Sequence, residues 1–187
     1  MRKNIKGTYQ YLKRQKQIEI LKTVGFFGLS LAVFLIGYLT TKTKGNLLTV
    51  VAILGCLPAS KSAVNMIMFL KATGCSVQSH EEIERHIGGL TGLYDLYFTS
   101  YDKNFAISHL VVTSNLLLAY SESAKINATD YEAHMKKLLE QEGVRDYTVK
   151  LFTDQKKYIQ RLDELNASDS VQAPSERVIS MLKAVSL

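Results

Sequence analysis

His80, His86, His109 and His134 are the first residues in this chain to ask for general-base or metal chemistry. Their spacing argues against a shared site, because His80 and His86 lie six residues apart and do not meet on one helix face. Glu81, Glu82 and Glu84 stand close by, but acidic residues at a helix start are ordinarily solvated. The run Gly88-Gly89-Leu90-Thr91-Gly92 leads into strand-like sequence, whereas a phosphate cradle needs a helix behind it. The chain has no HExxH, CxxC, GxGxxG or Walker pattern. Cys56 and Cys75 cannot build a disulfide framework and read as free thiols in a reducing compartment.

Residues 73–187 must position these groups. Ser79-His80-Glu81-Glu82 fits a capping box for a short helix that Gly88-Gly89 ends. Tyr94–Ser100, Phe105–Thr113 and Leu116–Ser121 read as a meander of three strands, with turns at Tyr101-Asp102-Lys103-Asn104 and Ser114-Asn115. Thr129-Asp130-Tyr131-Glu132 opens a second helix, Tyr147–Thr153 is a fourth strand, residues 154–166 another helix and Glu176–Val185 a last one. The expected order, αβββαβα, is that of a small α/β layer domain.

Ahead of it lies a different kind of sequence. No charge interrupts Thr23 to Thr41, and as a helix this stretch runs about 28 Å, close to the roughly 30 Å of bilayer hydrocarbon. Lys42-Thr43-Lys44-Gly45-Asn46 makes a polar turn, and Leu47 to Leu70 is apolar again apart from Pro58 and Lys61. A transmembrane hairpin over residues 23–72 is expected, with spans of about 23–41 and 46–70. Pro58 can kink the second span, and Lys61 at mid-membrane costs about 2.5–3.5 kcal/mol unless it snorkels to the nearer interface. The alternative is a helix that ends near Pro58, with residues 60–72 amphipathic. Residues 1–22 form a basic juxtamembrane segment, helical from about residue 8, either lying on the membrane surface or solvated.

Charge sets the orientation. The net +6 hides an asymmetry: Glu19 is the lone acid up to Ala72, whereas residues 73–187 are net acidic. The seven Lys/Arg from Arg2 to Lys22 suit anionic lipid headgroups and place the N-terminus in the cytoplasm. Two passes return the C-terminal domain to the same side, as in a multi-pass plasma-membrane protein. The acidity of that domain argues against binding nucleic acid.

The most informative stretch is Ala106-Ile107-Ser108-His109-Leu110-Val111-Val112-Thr113, followed by Leu117-Leu118-Ala119-Tyr120-Ser121-Glu122-Ser123. It resembles the core of the nuclease-related domain family, in the PD-(D/E)xK nuclease-like superfamily, over about residues 79–123. Members read approximately as acid-Ile-Asp-His-Leu-Val-Val, a short turn, a hydrophobic strand, then Glu-x-Lys. A helix with an early glutamate commonly precedes this, as Glu81-Glu82 does here. The resemblance implies carboxylates that hold a divalent cation and a lysine that orients or activates water. Here Ser108, Ser121 and Ser123 stand where the family has Asp, Glu and Lys, and three hydroxyls cannot supply that charge. Glu82, Asp95 and Glu122 are the alternative ligands, with Glu122 expected on the opposite strand face from Ser121 and Ser123. The expected function is a membrane-anchored, non-catalytic nuclease-like scaffold that binds a protein partner and uses no cofactor. A Mg²⁺-dependent nuclease with displaced ligands, or an accessory subunit of a membrane complex, is the alternative.

Overall fold

The computed structural model describes residues 5–43, 45–100, 103–144, 146–168 and 173–187. The chain divides into two compact units, Lys13–Lys71 and the combination of Met1–Leu12 with Ala72–Leu187. The boundaries differ from 1–22, 23–72 and 73–187, because the residues just ahead of the first long helix cluster with the C-terminal domain.

The first unit consists of two helices, α1 (Tyr11–Thr41) and α2 (Leu47–Lys71). Both are long and apolar enough to cross a membrane. α1 is continuous, so the basic segment and the first apolar stretch form one rod. α2 also continues through Pro58 to Lys71, which removes the alternative of a helix ending at the proline. Ser60 Oγ donates to the Cys56 carbonyl at 2.7 Å, a local bond within the turn that Pro58 weakens. At the tip, Asn46 Oδ1 accepts the Thr49 amide at 2.8 Å and caps α2.

Three contacts set the register of the pair. Gly37 lies against Leu48, Ser30 against Gly55, and Thr23 Oγ1 is 2.9 Å from Ser62 Oγ. Each step is seven residues on both helices, the repeat of a left-handed antiparallel pair. The seam is built from small residues, with Ala52 and Ala59 also buried along it, so the backbones approach closely. The Thr23–Ser62 bond sets Lys61 at the level of Lys22, where the charge-free part of α1 begins. Lys61 is exposed there rather than stranded at mid-span.

The second unit holds α3 (Val77–His86), β1 (Thr91–Thr99), β2 (Asn104–Val112), β3 (Leu116–Tyr120), α4 (Ala128–Gln141), β4 (Thr148–Phe152), α5 (Gln155–Asn166) and α6 (Glu176–Val185). Its order is αβββαβαα; every helix read from the sequence is present, and the expected string αβββαβα is one helix short because residues 154–166 and Glu176–Val185 are two successive helices. One mixed sheet runs β1-β2-β3-β4: the first three strands are antiparallel, and β4, reached through α4, is parallel to β3.

Two apolar clusters cover the faces of this sheet. Tyr131, Met135 and Leu139 of α4, four residues apart, and Val178 and Leu182 of α6 pack on Leu96, Ile107, Leu117 and Val149. On the other face Ile83 of α3 and Tyr158 and Leu162 of α5 pack on Tyr94, Val111, Leu118 and Tyr120. The domain is therefore a three-layer α/β/α sandwich.

Two helix starts differ from their capping boxes. α3 is capped by Ser76, whose Oγ accepts the Ser79 amide at 3.2 Å, and Ser79 is buried inside the helix. α4 is capped by Asn127, and Glu132 instead accepts the Leu151 amide on the outer edge of β4 at 3.0 Å. In both, a residue just upstream takes the cap and frees the box residue for a tertiary bond. The expected turn at Tyr101-Asp102 lies outside the described residues.

Candidate functional site

β1 and β2 share one irregularity. Leu93, Leu96 and Phe98 of β1 face α4 and α6, as do Phe105, Ile107, Leu110 and Val112 of β2. Alternation is broken once in each strand, between the pairs Tyr94↔His109 and Leu96↔Ile107, and the register resumes unchanged. Asp95 and Ser108 fall opposite each other at that break. Asp95 has a φ of 55°, in the left-handed region that Asp tolerates better than most residues.

The break turns the Asp95 carboxylate toward the chain segments flanking the long helices. Oδ1 accepts the Cys75 amide at 2.7 Å, and the Gln10 and Leu12 amides donate to the same carboxylate. Gln10 and Leu12 belong to the same compact unit as Asp95, although Leu12 lies in the first turn of α1. Gly74 makes the approach possible, since a Cβ there would sit 2.6 Å from Oδ1. Asp95 is only 2 % exposed, and this burial raises its pKa above the usual carboxylate range against the pull of the three amides.

Glu122 holds the next link of the same segment. Its Oε1 accepts the Ser76 amide at 3.0 Å, and its own amide donates to Ser108 Oγ at 3.2 Å. Ser121 Oγ donates to the Ala106 carbonyl at 2.6 Å and accepts the Ser123 amide at 3.2 Å. β3 has ended at Tyr120, and it is the main-chain amide of Glu122, not its carboxylate, that meets Ser108. The Cys75 thiol lies between the two carboxylates. Burial, then Glu122 and Asp95, push its pKa far up and keep it an unreactive thiol.

The structure thus brings Asp95, Ser108, Ser121, Glu122 and Ser123 together where β3 ends beside the middle of β1 and β2. Glu82 is not among them. It lies on the exposed face of α3, 2.9 Å from Arg85 and 3.9 Å from His86, whose Nδ1 is 2.8 Å from Asp163 on α5. Among the described residues no group of three or more His, Cys, Asp or Glu is arranged to hold a metal ion.

A second polar network, missed by sequence reasoning, lies behind the first. His109 is fully buried, its Nδ1 2.7 Å from Tyr158 Oη, with its ring against Tyr94. Burial lowers its pKa to about 3, so the ring stays neutral. His80 sits between Tyr9, stacked at 3.6 Å, and Tyr94, which donates to Glu84 at 2.8 Å. The aromatic spacing in the chain gave no signal, because Tyr9, His80, Tyr94 and Tyr158 belong to four separate segments. No protein-family model, curated protein or solved structure matches this chain.

Proposed function

We propose that this chain is a membrane-anchored scaffold whose soluble domain acts by binding a protein partner. α1 and α2 form a multi-pass anchor in the plasma membrane, and both termini are cytoplasmic. The observation that carries the reading is Asp95. One carboxylate of the soluble unit accepts amides from Gln10 and Leu12 ahead of the hairpin and from Cys75 behind it. A single domain that holds both ends of a hairpin supports an even number of crossings, with the basic end of the pair inside.

The same geometry supports a holding role for these carboxylates, since Asp95 and Glu122 each take main-chain donors of the chain itself. The meeting of Asp95, Ser108 and Glu122 where β3 ends, with both carboxylates taken up by main-chain amides, supports the nuclease-like resemblance as a scaffold without its metal ligands. The test is topological. Single cysteines are placed at Thr8, Lys42 and Lys157 of the full chain, with Cys56 and Cys75 replaced by Ser, and are labelled with an impermeant maleimide. Lys42→Cys should label in intact cells, and Thr8→Cys and Lys157→Cys only after permeabilisation. Labelling of Thr8→Cys and Lys157→Cys from opposite sides would end the reading.

A further inference from the structure

The root of the hairpin carries more positive charge than its sequence order suggests, because the two helices contribute to it together. Lys16 Nζ lies 3.5 Å from the Leu70 carbonyl, which brings Lys13, Arg14 and Lys16 of α1 to the level of Lys71 at the end of α2. Glu19, the lone acid up to Ala72, is buried and already bonded to Lys22 at 2.8 Å and to Gln15 at 3.0 Å. No ion pair among the described residues engages Lys13, Arg14, Lys16 or Lys71. Lys6, by contrast, belongs to the other unit, where it donates to the Ser186 carbonyl at 2.7 Å. These four cations, none of them in an ion pair among the described residues, form a collar.

Depth fits one class of partner. The charge-free surface starts at Thr23, level with Ser62, and is lined outward by Val24, Leu29, Leu31 and Leu57. Lys16 stands six residues outward of Lys22, about 9 Å along the helix. The headgroup layer beyond the hydrocarbon is about 5–8 Å thick on each side. With Lys22 and Lys61 at the hydrocarbon boundary, the backbone of Lys16 stands just outside the headgroup layer and that of Lys13 about 13.5 Å out, so the collar reaches the phosphates through side chains extended toward the membrane. We infer that Lys13, Arg14, Lys16 and Lys71 form a binding site for the headgroups of anionic phospholipids in the leaflet at the hairpin root. The inference rests on the membrane reading above and adds a lipid specificity to it.

The test uses the full chain purified in a neutral detergent and given equal amounts of phosphatidylglycerol and phosphatidylcholine, with retained lipids counted by native mass spectrometry. Each basic residue near an anionic surface contributes about 1 kcal/mol, so the wild-type chain should prefer phosphatidylglycerol by about tenfold or more. Lys13→Gln, Arg14→Gln, Lys16→Gln and Lys71→Gln together should abolish the preference. Removing as many charges from exposed positions of the soluble unit, Lys136, Lys137, Lys150 and Lys156, should leave it intact. Equal retention of both lipids by the wild type, or equal loss in both quadruple variants, would overturn the collar. Release of the wild-type chain from cell membranes by alkaline carbonate would instead overturn the membrane reading, so the two failures are distinguishable.

Discussion

The Asp95 carboxylate and the Cys75 amide, 2.7 Å apart, join the central sheet to the chain that leaves α2. With the Gln10 and Leu12 amides on the same carboxylate, one side chain closes one short loop, to Cys75, and two long ones of nearly equal length. Asp95→Ala should therefore destabilise the soluble unit by about 3 kcal/mol or more, because each buried donor left unpaired costs about 1–3 kcal/mol. Asp95→Asn, which keeps one acceptor oxygen, should cost less. Denaturant unfolding of the full chain followed by tyrosine fluorescence measures both, and an Asp95→Ala loss under 0.5 kcal/mol would remove Asp95 from this role.

The seam of the hairpin predicts a graded glycine series. A Cβ at Gly37 would meet Leu48 Cβ at 2.7 Å, and neither atom can rotate away. Gly37→Ala should cost about 1–3 kcal/mol through overpacking. Gly55→Ala should be milder, since the atom it meets is the hydroxyl of Ser30, which can change rotamer. Gly25 and Gly28 have open space, and alanine there should be neutral or gain about 1 kcal/mol of helix propensity. Unfolding of the reconstituted chain in mixed micelles ranks the four, and equal losses at Gly25 and Gly37 would refute the register.

His109 sets a pH dependence. Its folded pKa is about 3 against an ordinary value of 6.5, so between these limits the unfolded chain binds the extra proton. Stability should be full above pH 6.5 and fall as pH drops toward 3, with a slope of up to about 1.4 kcal/mol per unit. His134, also lowered by burial, adds in the same direction, while Asp95, raised by burial, opposes it over the acid end. His80 lies close enough to disfavour the charged form of His109 further. In His109→Gln the slope between pH 6.5 and 5 should shrink, and an unchanged melting profile would show that another group carries it.

Two buried tyrosines should answer oppositely to the same substitution. Tyr158→Phe removes the partner of His109 Nδ1 and should cost about 1–3 kcal/mol. Tyr131 Oη is buried without a hydrogen-bond partner among the described residues, so Tyr131→Phe should be neutral or stabilising. Melting temperatures of the two variants decide it, and a larger loss for Tyr131→Phe would reverse the assignment.

Restoring charge to the serine positions tests the resemblance. Ser121 is 1 % exposed and bonded to the Ala106 carbonyl, so a carboxylate there is costly unless a cation neutralises it. Ser108→Asp, Ser121→Glu and Ser123→Lys together should lower the melting temperature without metal, and millimolar Mn²⁺ should recover part of the loss. The wild-type chain should show no Mn²⁺ stabilisation and no nicking of supercoiled DNA. A folded triple variant indifferent to Mn²⁺ would count against the family resemblance.

Much of the architecture was legible in local pattern. The charge-free run of Thr23–Thr41, the strands rich in β-branched and aromatic residues and the final helix Glu176–Val185 each depend on neighbours within a few residues, and there the sequence and the structure coincide closely. What depended on distant partners was not legible. Nothing near Asp95 announces that it takes amides from Gln10, Leu12 and Cys75, and nothing near Lys61 announces that Ser62 meets Thr23 and sets the lysine's depth. Ser76 displaced Ser79 as a cap because the sheet and α5 bury Ser79, a cost that no capping pattern contains. Periodicity encodes which face of an element is apolar. Only packing decides which polar group from another part of the chain will satisfy a donor buried by that face.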